Sequence, residues 1–336
     1  MDRPRHGRVV TERRPAALAR VIERVTRTVR AHDLFAPGDL VLVWVSGGAD
    51  SICLLETLVR VRRLFRIRLA VFHLDHALRA TSADDAAYVR RRAAGHGLDC
   101  RVATPANRPR PGVSIEQWAR EERRSAAFAL ADEIGADRHA LGHTMDDRAE
   151  TVLLALVRGW GLDGVAGIEP AAGDLVRPQL DVRRAETEAA CRALGLRPRI
   201  DASNADTSLL RNALRHDALP ALARATDRDV VPTIARTAEL VRADAALLDA
   251  LATAQTSTIV TLGSGGATFD ALALTALATP IAARVVRRAL ADAGAPWTER
   301  AIDGILDLAG GRPGRRIALA EGWRARRDRT HVVIER

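Results

Sequence analysis

Residues 41–55 read Val41-Leu42-Val43-Trp44-Val45-Ser46-Gly47-Gly48-Ala49-Asp50-Ser51-Ile52-Cys53-Leu54-Leu55. The apolar run predicts a strand buried on both faces, as in a parallel sheet. Two glycines then let the backbone turn sharply and come close to a ligand. A helix is expected from about Asp50, and its first N–H groups point at whatever lies over the turn, a position that suits phosphate. Ser46–Ser51 is thus a candidate phosphate cradle. It is not a Walker A loop, because that loop places a lysine after its last glycine, and this chain contains no lysine. The plainer reading is an ordinary strand-turn-helix with Asp50 as a helix cap.

Outward from this stretch, strands alternate with helices. Residues 15–31 predict a helix with Leu18, Val21, Ile22, Val25 and Val29 on one stripe. Further strands fit Arg68 to Leu74, Asp99 to Ala103, Asp137 to Gly142, and a short last one near Leu175 to Leu180. Helices fit 50–64, 82–96, 114–134, 146–158 and 182–195. This alternation predicts an α/β fold, a doubly wound parallel sheet covered on both faces. From about 216 the chain reads as mostly helical, with a Gly-Ser-Gly-Gly break at 263–266. The arginine-rich end carries two β-like runs, Arg316 to Leu319 and His331 to Ile334. The expected organisation is an N-terminal arm and helix (1–36), a catalytic domain (37–215), a helical domain (216–295) and a small basic C-terminal segment (296–336).

The chain has 336 residues and a formal net charge of +9. That excess favours a polyanionic partner, nucleic acid above all. Cys53, Cys100 and Cys191 stand apart, with no CxxC pair and no Cys/His metal spacing, which predicts a reducing, cytoplasmic setting. The basic first residues lead into no apolar signal core, and no run approaches the roughly 18 apolar residues of a membrane span. No membrane association is expected.

A second constellation is Gly142-His143-Thr144-Met145-Asp146-Asp147-Arg148-Ala149-Glu150-Thr151, again a strand end opening a helix. Thr144 and Asp147 fit a capping box. Asp146 and Glu150, at i and i+4, are expected on one helix face at the carboxyl end of the sheet. Three acids within five residues repel unless a cation joins them, either a metal ion or a substrate ammonium. A solvated acidic face is the alternative.

The string Ser-Gly-Gly-x-Asp-Ser resembles the pyrophosphate loop of the N-type ATP pyrophosphatases (PP-loop, Rossmann-like). Gly-His-x-x-Asp-Asp-x-x-Glu-Thr followed by Arg158-Gly159 resembles the signature of the tRNA(Ile)-lysidine synthetase family. Thr144 stands where that family more often has His, and Arg148 where Gln is usual. Other elements agree in order: His73-Leu74-Asp75-His76-Ala77-Leu78-Arg79, Ala119-Arg120-Glu121-Glu122-Arg123, Arg177-Pro178-Gln179-Leu180, Asp201-Ala202-Ser203-Asn204 and Arg211-Asn212-Ala213-Leu214-Arg215. The resemblance is dense from about 40 to 220 and weak beyond.

The resemblance implies a ligase that uses ATP to adenylate C2 of the wobble cytidine of tRNA(Ile) with a CAU anticodon. The ε-amine of free L-lysine then attacks, giving lysidine, AMP and pyrophosphate. It implies ATP binding by Ser46, Gly47, Gly48, Ala49, Asp50, Ser51, His73, Asp75 and Arg79, with Asp50 supporting Mg²⁺. Asp146, Asp147 and Glu150 would hold lysine or the metal and, with Asp50 and His143, make up the catalytic set. Arg120, Arg123, Arg211, Asn212 and Arg215 would contact tRNA. The cluster Arg312, Arg315, Arg316, Arg324, Arg326, Arg327 and Arg329 reads equally as a tRNA backbone contact or a solvated surface. Room is left for a homodimer. Two other readings stay open: a different PP-loop tRNA-modifying enzyme such as a cytidine thiolase, and a catalytically inactive tRNA-binding homologue.

Overall fold

The first elements in chain order are α1 (Ala16–Ala31), β1 (Leu40–Trp44), α2 (Ala49–Phe65), β2 (Arg68–Leu74), α3 (Ser82–Ala94), β3 (Cys100–Ala103), α4 (Ile115–Ile134) and β4 (Arg138–Ala140). There follow α5 (Met145–Arg158), α6 (Gly161–Val165), β5 (Ala171–Ala172), β6 (Leu175–Val176), α7 (Arg184–Ala193), α8 (Leu210–Ala213), a π-helical turn (Leu214–Ala218) and α9 (Leu219–Thr226). This computed structural model describes residues 15–76, 82–105, 107–109, 114–199, 206–263 and 265–336. The N-terminal arm, Arg79 and the Asp201–Asn204 element lie outside them.

The chain divides into two compact units, Met1–Ala238 and Glu239–Arg336. In the first, six strands pair in the order β3-β2-β1-β4-β6-β5. All pairs are parallel except β5 with β6. In β1, Val43 pairs with Val71 on one side and Ala140 on the other. The strand is apolar throughout because both faces are covered. Val41 and Val43 pack with Val21, Val25, Leu55 and Leu58 of α1 and α2. Leu42 packs with Phe72, Ala127 and Ala131 on the α4 side. The chain builds outward from β1 through β2 and β3, then returns to place β4 on the opposite side. The carboxyl ends of β1 and β4 therefore flank a topological switch point, the crevice in which open α/β sheets bind ligands.

The second unit includes most of α10 (Val230–Ile259), with the division between the units falling inside that helix. It continues with β7 (Val260–Gly263), β8 (Gly266–Asp270), α11 (Ala271–Ala276), α12 (Thr279–Asp292), α13 (Glu299–Gly310), β9 (Arg316–Ala318), β10 (Arg324–Arg327) and β11 (His331–Glu335). Its five strands form an antiparallel sheet in the order β7-β8-β11-β10-β9. Ala267, Phe269, Ala325, Val332 and Ile334 bury one sheet face against Val285, Val286, Leu290, Ile305 and Leu308 of α12 and α13.

The alternation of strands and helices in the first unit follows the sequence reading. In the second, the expected helical stretch contains a hairpin, β7–β8, around the Gly263–Gly266 break. The alanine-rich surroundings hide a strand of four or five residues, which gains its order from pairing with β11. The short strand β10, Arg-Ala-Arg-Arg, carries too little apolar alternation to be read from sequence. Only Ala325 turns fully inward, and β9 and β11 supply its ladder. The division at 238/239 also differs from the expected boundaries at 216 and 296, because hairpin, helices and terminal strands share one core. Among the described residues, no helix is long and apolar enough to cross a membrane.

Phe269 is fully buried at the centre of the second core. Phe269→Ala is expected to destabilise the chain by about 3–5 kcal/mol, read as a lowered urea midpoint.

Candidate active site

A cavity of about 710 Å³ opens at the switch point and is lined by the end of β1, the loop to α2, the end of β2 and the start of α5. The loop is held by its own hydroxyls. Ser51 Oγ accepts the Ser46 N–H at 3.1 Å and donates to the Gly48 carbonyl at 3.0 Å, while Ser46 Oγ lies 3.1 Å away. Gly47 has φ +96°, a conformation that a side chain would strain. The first N–H groups of α2 have no partner within the helix, as at any helix start, and Ser46, Ala49 and Ser51 border the cavity.

Gly142 fixes β4 against this loop. A Cβ there would lie 3.1 Å from both the Cα and the N of Ser51. The buried Gln179 bolts the two together, its amide donating to the Asp50 carbonyl at 2.8 Å and the Gly142 carbonyl at 3.2 Å.

The acids take three different positions. Thr144 and Asp147 form the expected capping box. Asp147 also lines the cavity, with Arg184 Nη2 on its Oδ1 at 2.9 Å. Burial pushes its pKa up, but Arg184, His143 and Arg211 outweigh burial and hold it down to about 2. Glu150 is fully buried. Arg215 grips it with Nε at 2.7 Å and Nη2 at 2.8 Å, and Arg211 and Arg184 each add a contact at 3.0 Å. Burial acts against its charge, and the Arg215 contact leads the effects that hold its pKa below the usual carboxylate value. Asp146 borders no part of the cavity. It takes a two-pronged contact from Arg183 at 3.1 and 3.2 Å and accepts the backbone N–H of Arg184 at 2.8 Å, tying α5 to the start of α7.

Asp50 joins this group across the loop. Its Oδ2 meets Arg184 Nε at 3.3 Å, and its Oδ1 takes a short hydrogen bond from the Thr187 hydroxyl. Burial pushes its pKa up to about 6 despite Arg184 and Thr187. Arg184 therefore touches Asp50, Asp147 and Glu150 with one guanidinium.

Burial disfavours the charged form of two histidines. Burial pushes His143 down to about 4, and Arg177 Nε donates to its Nδ1 at 3.2 Å, so the ring proton sits on Nε2. Burial likewise lowers His73, whose Nδ1–H donates to the Val45 carbonyl at 2.7 Å and ties β2 to the end of β1. Both border the cavity, as does Asp75.

Among the expected RNA-contacting residues, Arg123 borders the cavity and meets His76 Nε2 at 3.0 Å. Arg120 is exposed on α4. Arg211 and Arg215 face the acids. Asn212 is buried, its amide donating to the Asp206 carbonyl at 2.9 Å. Sequence reading missed Arg184, Thr187, Gln179 and Arg199. Gln179 lay within a matched element, but nothing in local spacing marks Arg184 or Thr187 as facing Asp50, more than 130 residues away in the chain.

Two outcomes follow from these charges. Glu150→Gln leaves the facing arginines without their buried counter-charge and is expected to cost about 3–5 kcal/mol, measured by denaturant unfolding. For His143, folding lowers the pKa from 6.5 to about 4. The unfolded chain takes up this proton first, so the site's contribution is full above pH 6.5 and is lost as pH falls toward 4. Asp50, raised from 3.8 to about 6, acts in the opposite sense, losing its contribution as pH rises through about 6. The stability of the unsubstituted chain relative to His143→Gln should accordingly fall between pH 6.5 and 4.

The chain is similar to proteins of known family. The PP-loop domain family matches residues 19–222, and the TilS substrate binding domain family matches residues 269–333. A tRNA(Ile)-lysidine synthase of Streptomyces coelicolor is 41% identical, over 78% of this chain and 75% of that protein. One from Salinispora tropica is 43% identical, over 70% of this chain and 72% of that protein. One from Symbiobacterium thermophilum is 41% identical over 68% of this chain, but only 49% of that protein. The chain spans about half the length of several of the curated relatives it matches. Among solved structures, a U34-tRNA thiolase of Methanococcus maripaludis shares the fold, with TM-score 0.56 and 16% identity over 67% of this chain and 79% of that one. The PP-loop match covers more than half of the chain, and the two lysidine synthases are covered over more than two thirds of their length at over 40% identity, so the chain belongs to the tRNA(Ile)-lysidine synthase family of PP-loop proteins.

Proposed function

We propose that the chain is an ATP-dependent ligase that converts the wobble cytidine of a tRNA(Ile) with a CAU anticodon into lysidine. The observation that carries this reading is a cavity in which a phosphate-type loop meets an ionised acid, Asp147. ATP would lie with its outer phosphates over Ser46–Ser51, where N–H groups and hydroxyls supply the donors. The cytidine C2 oxygen would attack the α-phosphorus and release pyrophosphate. The lysine amine would then attack C2 and release AMP.

Asp50 suits Mg²⁺, which is commonly held by one or two carboxylates together with substrate phosphates. The ion would supply charge neutralisation on the phosphates, and to hold it Asp50 would give up its contact with Arg184. Asp147 is suited to receive the lysine ammonium, with Glu150 setting the arginines around it. An acid with a pKa near 2 is a poor base at neutral pH, so its part is to hold the amine rather than to take its proton. Neutral His143 offers a hydrogen-bond donor at Nε2. The cytidine must leave its stack to reach such a cavity, and Arg123 and the exposed Arg120 would meet RNA. Cytoplasmic location and any homodimer remain part of this proposal.

A cysteine-dependent thiolase is the weaker reading. Cys53 and Cys191 are buried in the first core and Cys100 lies on β3. Among the described residues no His/Cys/Asp/Glu group could hold a metal cluster.

The test incubates the full chain with Mg-ATP, labelled L-lysine and a tRNA(Ile) transcript bearing CAU, then digests to nucleosides. Label in a modified cytidine, dependent on ATP and lost in Asp147→Asn, is expected. Pyrophosphate release without lysine incorporation would point to another nucleophile. Bound tRNA with neither product would favour an inactive binding protein.

A further inference from the structure

The segment after α7 returns across the phosphate loop and brings Arg199 to it. The backbone N–H of Arg199 donates to the Gly47 carbonyl at 2.9 Å. Its side-chain stem lies along the same glycine, since a Cβ on Gly47 would sit 3.5 Å from Arg199 Cγ and 3.7 Å from its Cβ. The guanidinium rests away from the loop, 5.3 Å from the centre of the Tyr88 ring, with Nε 3.4 Å from Asp85 Oδ1 and Nη2 3.5 Å from the Asp84 carbonyl. The side chain is 41% exposed and borders the cavity.

These resting contacts are long, and Arg199 lies partly in water although Asp85 is mostly buried, so solvent screens the pair in part. The loop itself holds no cationic side chain, and its only formal charge is the negative Asp50. A triphosphate placed there needs positive charge from elsewhere. Among the described residues, four arginines border the cavity. Arg184 and Arg215 are bound to Glu150 and Asp147, and Arg123 meets His76. Arg199 is the one whose stem already lies on the loop.

We propose that Arg199 is a phosphate clamp: it turns from Tyr88 and Asp85 onto the outer phosphates of ATP and stays with the pyrophosphate as it leaves. A planar guanidinium suits two adjacent phosphate oxygens. The turn needs only side-chain rotation, because the hydrogen bond to Gly47 uses the backbone. Asp85 is then the resting partner that phosphate displaces. The proposal rests on the reading of Ser46–Ser51 as an ATP site.

The test measures binding of ATP, pyrophosphate and AMP to the full chain by calorimetry, for the unsubstituted protein, Arg199→Met, Asp85→Asn and the double variant. Arg199→Met should weaken ATP and pyrophosphate by ~10- to 100-fold and leave AMP unchanged, because AMP lacks the phosphates the clamp holds. Asp85→Asn should tighten ATP when Arg199 is present, and tighten it less in the Arg199→Met background. Equal weakening of ATP and AMP would mean a distorted loop and overturn the clamp. So would an Asp85→Asn effect of the same size in both backgrounds, which would reflect lost repulsion alone. Unchanged ATP binding in Arg199→Met would overturn the clamp while leaving the nucleotide site intact. No ATP binding by the unsubstituted chain would overturn the site reading itself, and the clamp with it.

Discussion

Four carboxylates gather at the carboxyl end of one parallel sheet, and the site depends on the arginines that neutralise them. Asp50 comes from the first turn of α2, and Asp146, Asp147 and Glu150 from the start of α5. Arg184 touches three of them, Arg183 holds the fourth, and Arg211 and Arg215 close around Glu150. Burial alone would push Asp147 and Glu150 toward their neutral forms, and the arginines outweigh it. With them, Asp147 is held ionised at the edge of the cavity. One guanidinium from α7 bridges acids of α2 and α5.

This arrangement separates roles that the sequence pattern merges. Asp146 anchors the start of α7, Glu150 organises arginines from a fully buried position, and Asp147 meets the cavity. Asp50 differs from all three, since burial outweighs its arginine and raises its pKa. It is the acid whose charge a cation would most increase. His143 and His73 are neutral donors or acceptors with fixed tautomers, suited to orienting ligands rather than carrying charge.

Much of the first unit was legible because its signals are local. A strand buried on both faces must be apolar, the glycines must turn, and Thr144 with Asp147 caps its own helix. Residues 260–270 and 324–327 were not legible, because their strands owe their order to partners distant in sequence rather than to their own alternation. Gln179 was visible as part of a motif, but its bridge between Asp50 and Gly142 depends on three segments meeting.

The sequence alone determined the parallel sheet, the glycine turn at Ser46–Ser51 and the acidic opening of α5, since backbone geometry and side-chain periodicity act over a few residues. Tertiary structure decided which acid faces the cavity, which arginines neutralise the group, and that Arg199 lies along Gly47. Those outcomes come from Coulombic and steric contacts between elements far apart in the chain. Spacing along the sequence carries no information about the distance between such elements until the sheet has set their order.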